Sequence, residues 1–263
     1  MTDGAELRRT FDQEAELYHV IRPRYPSALF DALVREARLP PQASVVEIGP
    51  GTGQATEPLA RRGYDITAIE LGGNLAEVAR RELRRYANVR VITGAFEDVE
   101  LPDYAFDLVF AATALHWITP GARFAKPHRL LKPSGRLAII HTHHVSDERG
   151  DTFFHASQAV YDTYYPRGDQ AAPTLPAAAD VSAAAFDPAL FRLAVFERFV
   201  MDVDYTADEH AQLLNTYSPT LALPEDQRRG FLADIAALIE REFGGKITMR
   251  YVMSLTVAEP IGL

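Results

Sequence analysis

Apolar positions change their period several times along the chain. Residues Leu7 to Tyr18 are spaced as a loose helix, which Arg22-Pro-Arg-Tyr-Pro26 breaks, because two close prolines cannot sit in a helix interior. Ser27 is placed to cap a second helix, Ala28 to Arg38, ended by Pro40-Pro41. From Ser44 the period shortens. The run SVVEIG stops at GPGTG, as a buried parallel strand does when it enters a tight turn.

Alternation of the two periods then continues. Thr56 to Arg62 reads as a helix closed by Gly63, followed by DITAIE (strand), Asn74 to Tyr86 (helix) and VRVITG (strand). FDLVFAAT (strand), a helical stretch near Ala122 to Leu131 and GRLAII (strand) complete the series. Five strands alternating with helices predict an α/β fold with a doubly wound parallel sheet. Pro58 is acceptable in the first crossover helix because first-turn N–H groups have no intrahelical partner.

After His141 the rhythm loosens. Residues 147–165 read as an aromatic-rich helix, and 166–188 as an open insertion of the lid or loop kind. VFERFVMDVDYT and KITMRYVMSLTVAE alternate as strands, with helices at Glu209 to Asn215 and Gln227 to Phe243 between them. Four segments follow from this pattern: an N-terminal helical segment 1–43, a doubly wound core 44–146, an insertion 147–190 and C-terminal strands in 191–263.

The chain has 263 residues, 47% of them hydrophobic, enough for one large core. Its longest apolar runs are far shorter than a membrane span, and the amphipathic first residues lack a signal-peptide core, so a cytoplasmic protein is expected. No cysteine is present, which removes thiolate metal sites and cysteine nucleophiles. A net charge of −9 with dispersed arginines argues for a small-molecule ligand rather than nucleic acid or membrane, in a monomer or homodimer.

Chemistry concentrates at Val46-Glu-Ile-Gly-Pro-Gly-Thr-Gly53. Glycines at a strand-to-helix turn let backbone approach a ligand, and the helix start adds free N–H donors. A dinucleotide loop starting at Gly49 wants a small residue at position 54, where this chain has Gln54. Glu70 ends the next strand, where a carboxylate can accept from both hydroxyls of a ribose. That selects an adenosine-type ligand and leaves the reaction open.

Taken together, E-x-G-P-G-T-G-Q, Glu70, GAFEDVELPDYAFDLVFAATALHW and RLLKPSGRLAII resemble the class I S-adenosylmethionine-dependent methyltransferases. Within them the chain is similar to the trans-aconitate methyltransferase-like and ubiquinone/menaquinone methyltransferase-like small-molecule group. The likeness runs in order from about residue 11 to 141 and returns in the tail elements. It implies a Rossmann-like seven-stranded sheet of order 3-2-1-4-5-7-6 with strand 7 antiparallel, an N-terminal helical lid and a helical insertion after strand 5. It also implies S-adenosyl-L-methionine as cofactor and a small-molecule methyl acceptor.

By the same resemblance, Glu47 and the turn Gly49, Pro50, Gly51, Thr52, Gly53 and Gln54 would hold the methionine moiety. Glu70 would hold the ribose, and Leu71 would pack on the nucleoside. Ala95, Phe96 and Glu97 would line the adenine. Relatives often carry an Asp where this chain has Ala95, so an adenine contact falls to Glu97, backbone or water. Ala111 and Ala112 would flank the sulfonium, and Tyr18 in the lid would cover cofactor and substrate.

Candidate substrate residues are Arg22, Tyr25, His116, Trp117, His141 and His143. His116, with Tyr18 as a second candidate, is placed as a general base, since an imidazole exchanges protons near neutrality. Packing roles stay open for each, and no metal site is expected. Carboxyl acceptors such as trans-aconitate-like acids need no base and favour Arg22 or Arg24. A hydrophobic or aromatic metabolite with an O, N or C nucleophile favours the His and Tyr set. A nicotinamide oxidoreductase and a non-catalytic cofactor-binding protein are the remaining alternatives.

Overall fold

The structure is a computed structural model that describes residues 11–147, 151–168, 170–171 and 173–263. By internal packing these divide into two units. One comprises residues up to Pro23, His143–Val181 and Val200–Val252; the other comprises Arg24–Thr142, Ser182–Phe199 and Met253–Leu263. No helix among the described residues is long and apolar enough to cross a membrane.

The sheet strands are β1 (Ser44–Ile48), β2 (Asp65–Glu70), β3 (Val89–Thr93), β4 (Phe106–Ala112), β5 (Leu131–His144), β6 (Phe191–Thr206) and β7 (Lys246–Pro260). They form one seven-stranded sheet of order β3-β2-β1-β4-β5-β7-β6. Strands β1 to β5 pair in parallel. Strand β7 runs against β5: Arg136 meets Glu259, whereas the Val145 amide donates to the carbonyl of Arg250. It also runs against β6, with Arg192 on Glu259 and Arg250 on Asp202. The mixed sheet and its order match the expectation.

In the second unit α2 (Ser27–Glu36) precedes β1, the crossover helices are α3 (Thr56–Ala60) and α4 (Gly73–Leu83), and α5 (Pro120–Arg123) and α6 (Ala125–Leu130) lie before β5. Strand faces rich in Val, Ile and Leu are buried on both sides, and Val46, Ile48, Val109, Leu137 and Ile139 meet in one core. Register fixes the functional edge. Ile48 lies beside Ile69 and Ala111, Glu70 beside Thr93, and Ala111 beside Ile139. The segments after β1, β2, β3, β4 and β5 therefore leave the sheet at the same edge, where ligands of such sheets bind.

The first unit holds α1 (Ala15–Ile21), α7 (Thr152–Tyr164), α8 (Ala207–Leu214), α9 (Ser218–Leu221) and α10 (Glu225–Phe243). Its core joins Leu213, Phe231, Ile235 and Ile239 with Ile247 and Tyr251. Tyr161, Tyr164 and Tyr165 stand edge-on to the Phe231 ring at 5.0, 5.6 and 5.3 Å. These aromatics dock the inserted helix α7 on α10. Thr206 and Glu209 close a full capping box at the start of α8.

Several local expectations need correction. Helix α2 begins at Ser27 with extended Pro26 as its cap, so the Ser27 side chain makes no capping bond. The stretch near Ala122 to Leu131 is two short helices, interrupted at Phe124, whose φ of −115° departs from the helical value. Helix α3 ends at Ala60 rather than Arg62, and Pro58 falls within its first turn. Helix α9 was not foreseen in the sequence. Of the expected first helix, Leu7 to Thr10 lies outside the described residues.

Candidate functional site

Three glycines in the turn after β1 take the left-handed backbone that side chains disfavour: Gly49 at φ +64°, Gly51 at +57° and Gly53 at +89°. Packing adds a second demand. A Cβ on Gly49 would lie 2.6 Å from that of Ala114, and one on Gly53 would lie 2.8 Å from Leu83 Cδ1. The turn is pinned by its own amides, Gly49 donating to the Ile69 carbonyl and Gly53 to that of Pro50, both at 2.9 Å.

Glu70 closes this turn from the neighbouring strand. Its Oε2 accepts from the Gly51 amide and its Oε1 from the Gly72 amide, each at 2.9 Å. The side chain is nearly buried. A carboxylate oxygen has more than one acceptor position.

Glu47 is the group the fold leaves unsatisfied. It is fully buried at 0% exposure, and neither carboxylate oxygen has a hydrogen-bond partner. Burial pushes its pKa up to about 8; the adjacent Thr56 hydroxyl opposes this and the Glu70 carboxylate adds to it. Thr56 is near enough to act on that charge, yet its Oγ1 completes no hydrogen bond of good geometry. Thr52 Oγ1 is likewise buried and unpartnered. An orphaned carboxylate and two orphaned hydroxyls around a glycine turn are a demand for a polar ligand.

Those groups fit S-adenosylmethionine. Its amino-acid end carries an ammonium, the donor that Glu47 lacks, and its ribose diol suits Glu70.

At the β3 edge, Phe96 is buried in the core, and Glu97 Oε1 accepts from the Thr119 amide at 3.0 Å. Lys126 was missed in the sequence and organises this loop. Its ammonium donates to the carbonyls of Phe96 (2.6 Å), Glu97 (3.1 Å) and Val99 (2.6 Å). No motif marked it, because its partners are main-chain oxygens. Ala111 is buried and Ala112 half-buried at the end of β4, and Leu71 is half-buried after β2.

Beyond Ala112 the chain is strained. Thr113 holds φ at +57°, rare for a β-branched residue, and its amide donates to the Ile140 carbonyl at 2.7 Å. Its Oγ1 lies 3.5 Å from the Tyr25 hydroxyl, at the outer limit of a hydrogen bond. Three candidates come together next: the His116 ring lies 4.9 Å from Trp117 and 6.4 Å from His141. Burial lowers the His116 pKa and the Arg123 cation lowers it further, so this imidazole is neutral near pH 7. Burial also lowers that of His143, which falls in the first unit, as do Tyr18 and Arg22.

The fold is a doubly wound α/β core with a glycine turn at the edge where ligands of such sheets bind. Residues 46–139 match the model of the methyltransferase domain family. The chain is 31% identical over 135 residues to an uncharacterized methyltransferase of Mycobacterium tuberculosis, covering 51% of this chain and 53% of that protein. It is 30% identical over 148 residues to the demethylmenaquinone methyltransferase of Tropheryma whipplei, covering 53% and 60%. Identity to the trans-aconitate 2-methyltransferase of Deinococcus radiodurans is 32% over 115 residues, covering 43% and 42%. The match thus spans about half the length of these relatives. Among solved structures, a provisionally named type II methyltransferase from Anaeromyxobacter dehalogenans superposes with a TM-score of 0.58 at 23% identity, over 90% of this chain and 96% of that one. The YcgJ protein of Bacillus subtilis gives 0.50 at 14%, over 88% and 98%; both likenesses concern the fold. Over about half its length the chain is thus similar to methyltransferases.

Proposed function

We propose that this protein transfers a methyl group from S-adenosylmethionine to a small molecule whose nucleophilic O, N or C atom has a proton to lose. The observation that carries the reading is the Glu47 carboxylate, buried and unpartnered under the glycine turn, with Glu70 one strand away. When bound, the cofactor supplies an electrophilic methyl group.

The chain's own groups do the rest. Glu47 takes the ammonium end, Glu70 the sugar hydroxyls, and the amides of the turn fix both. Loop 95–99, held by Lys126, borders the base. Orienting two reactants in this way contributes about 7–11 kcal/mol to lowering the barrier of a bimolecular step. Neutral His116 accepts the acceptor's proton, with Trp117 and His141 beside it. The aromatic helix α7 is used in packing, so the aromatic walls for an acceptor come from Trp117 and Tyr25.

Calorimetric titration with S-adenosylhomocysteine and with NAD tests the cofactor assignment. Saturable binding of the former alone is expected, and preference for NAD would overturn it. A panel of phenols, indoles, enolisable ketones and acids with a labelled methyl donor then identifies the acceptor. Turnover that is unchanged in His116→Ala with that acceptor would remove the base assignment.

A further inference from the structure

His116 sits on a turn too short to hold its own shape. Residues Leu115–Trp117 form a single 3₁₀ turn with two main-chain bonds, from the Trp117 amide to the Ala114 carbonyl at 3.0 Å and from Ile118 to Leu115 at 3.1 Å. Leu115 and Ile118, three residues apart and so on one side of the turn, are buried and anchor it in the core of the second unit. His116 between them is exposed.

A side chain completes the turn. Arg123, the last residue of α5, folds back so that its Nε donates to the Ile118 carbonyl at 3.0 Å. Its Nη2 donates to the carbonyls of Ile118 and His116, both at 2.9 Å. The base from which it reaches is fixed in turn. The amides of Ala122 and Arg123 donate to the Thr119 carbonyl at 3.0 and 2.9 Å, and the Thr119 amide is taken by Glu97 Oε1. Among the described residues no carboxylate pairs with Arg123, so its charge is met by main-chain oxygens beside the imidazole. Any cation suits the end of a short helix, but a fork across two carbonyls calls for a planar guanidinium.

We infer that Arg123 is a positioning residue for His116, whose clasp on these two carbonyls sets the direction in which the imidazole leaves the turn. This rests on the proposed role of His116 as the base. The cation has a second effect. The charged and titratable groups around the ring are Arg123 of α5, His141 of β5 at 6.4 Å, and Glu97, held at the Thr119 amide. Arg123 disfavours the imidazolium and so adds to the effect of burial. One residue both aims the imidazole and keeps it ready to accept a proton.

Trp117 supplies the readout. It is the only tryptophan of the chain, and its ring lies 4.9 Å from that of His116. An imidazolium touching an indole quenches its fluorescence by taking an electron from the excited state, and a neutral imidazole quenches it far less. The experiment is a pH titration of tryptophan emission in the full chain, without ligands. Wild type should lose emission on acidification, and His116→Gln should remove that step. Its midpoint reads the charge near the imidazole, and its amplitude reads the ring contact. Arg123→Gln should raise the midpoint and shrink the amplitude. Arg123→Lys keeps the charge without the fork, so it should restore the midpoint and leave the amplitude small. With the acceptor found by the panel, kcat should fall at least about tenfold in both variants at unchanged donor affinity, because small misplacements of a reacting group cost that much. No step that depends on His116, or wild-type amplitude or kcat in Arg123→Lys, would overturn the assignment, and the lysine variant decides alone if Arg123→Gln fails to fold. Absent donor binding, or turnover unchanged in His116→Ala, would instead remove the methyl-transfer reading and leave the emission result standing.

Discussion

The Gly51 amide donates to Glu70 Oε2 at 2.9 Å, which ties the middle of the glycine turn to the end of the adjacent strand. With Gly72 on the other oxygen, one carboxylate shapes the turn and, on the proposed function, would also hold the sugar of the methyl donor. Glu70→Gln should therefore act twice. It removes charge-assisted bonds to two amides, costing roughly 1.5–3 kcal/mol of stability, and weakens the methyl donor at least about tenfold. Urea unfolding and calorimetry measure the two effects; donor affinity equal to wild type would remove Glu70 from the ribose role.

Glu47 gives the site a pH signature. Its folded pKa of about 8 lies above the ordinary 4.5, so the folded protein holds the proton through that window and stability falls as pH rises across it. An arriving ammonium favours the carboxylate, so donor binding should release a proton. Affinity should then strengthen as pH rises from about 6 to about 8. Glu47→Gln should flatten both dependences. Calorimetry in buffers of different ionisation enthalpy counts the proton, and a count of zero contradicts the assignment.

His210 carries the opposite dependence in the first unit. It is buried between Phe153 and Tyr205, and burial, with the nearby His144, depresses its pKa from 6.5 to about 3. A group held neutral in the fold contributes stability above its unfolded pKa that is lost as pH falls toward the folded one. Thermal melts from about pH 7 to about pH 4 should fall steeply for wild type and less for His210→Phe. Parallel curves would show that another group controls the acid limb.

Gly49 and Gly63 separate strain from function. Both hold positive φ, but a Cβ at Gly49 meets Ala114 at 2.6 Å, whereas one at Gly63 meets nothing within 4 Å. Gly63→Ala should lose only about 1–2 kcal/mol of stability and keep donor binding. Gly49→Ala should lose binding altogether.

Lys126→Met should leave three carbonyls of loop 96–99 without their donor. Hydrogen exchange should quicken in residues 95–99, and donor affinity should drop about three- to tenfold. Unchanged exchange there would mean that packing of Phe96 alone holds the loop.

The glycine turn at the sheet's edge was legible in the sequence because its determinants are local. Period changes mark strands, glycines mark backbone that only they adopt readily, and one acidic residue ends the second strand. Lys126 and strained Thr113 left no such mark, since each depends on partners distant in the chain. The ends of helices also shifted, as at Ser27 and Phe124, where neighbouring backbone rather than propensity sets the boundary.

By itself the chain determined the alternation of strands and helices, the glycine turn and the identity of Glu47 and Glu70, because these follow from side-chain periodicity and backbone sterics at adjacent positions. Only the tertiary structure decided which polar groups go without partners. Whether Glu47, Thr52 and Thr56 are satisfied depends on what folding places around them, and a linear order of residues carries no distance between atoms far apart in it.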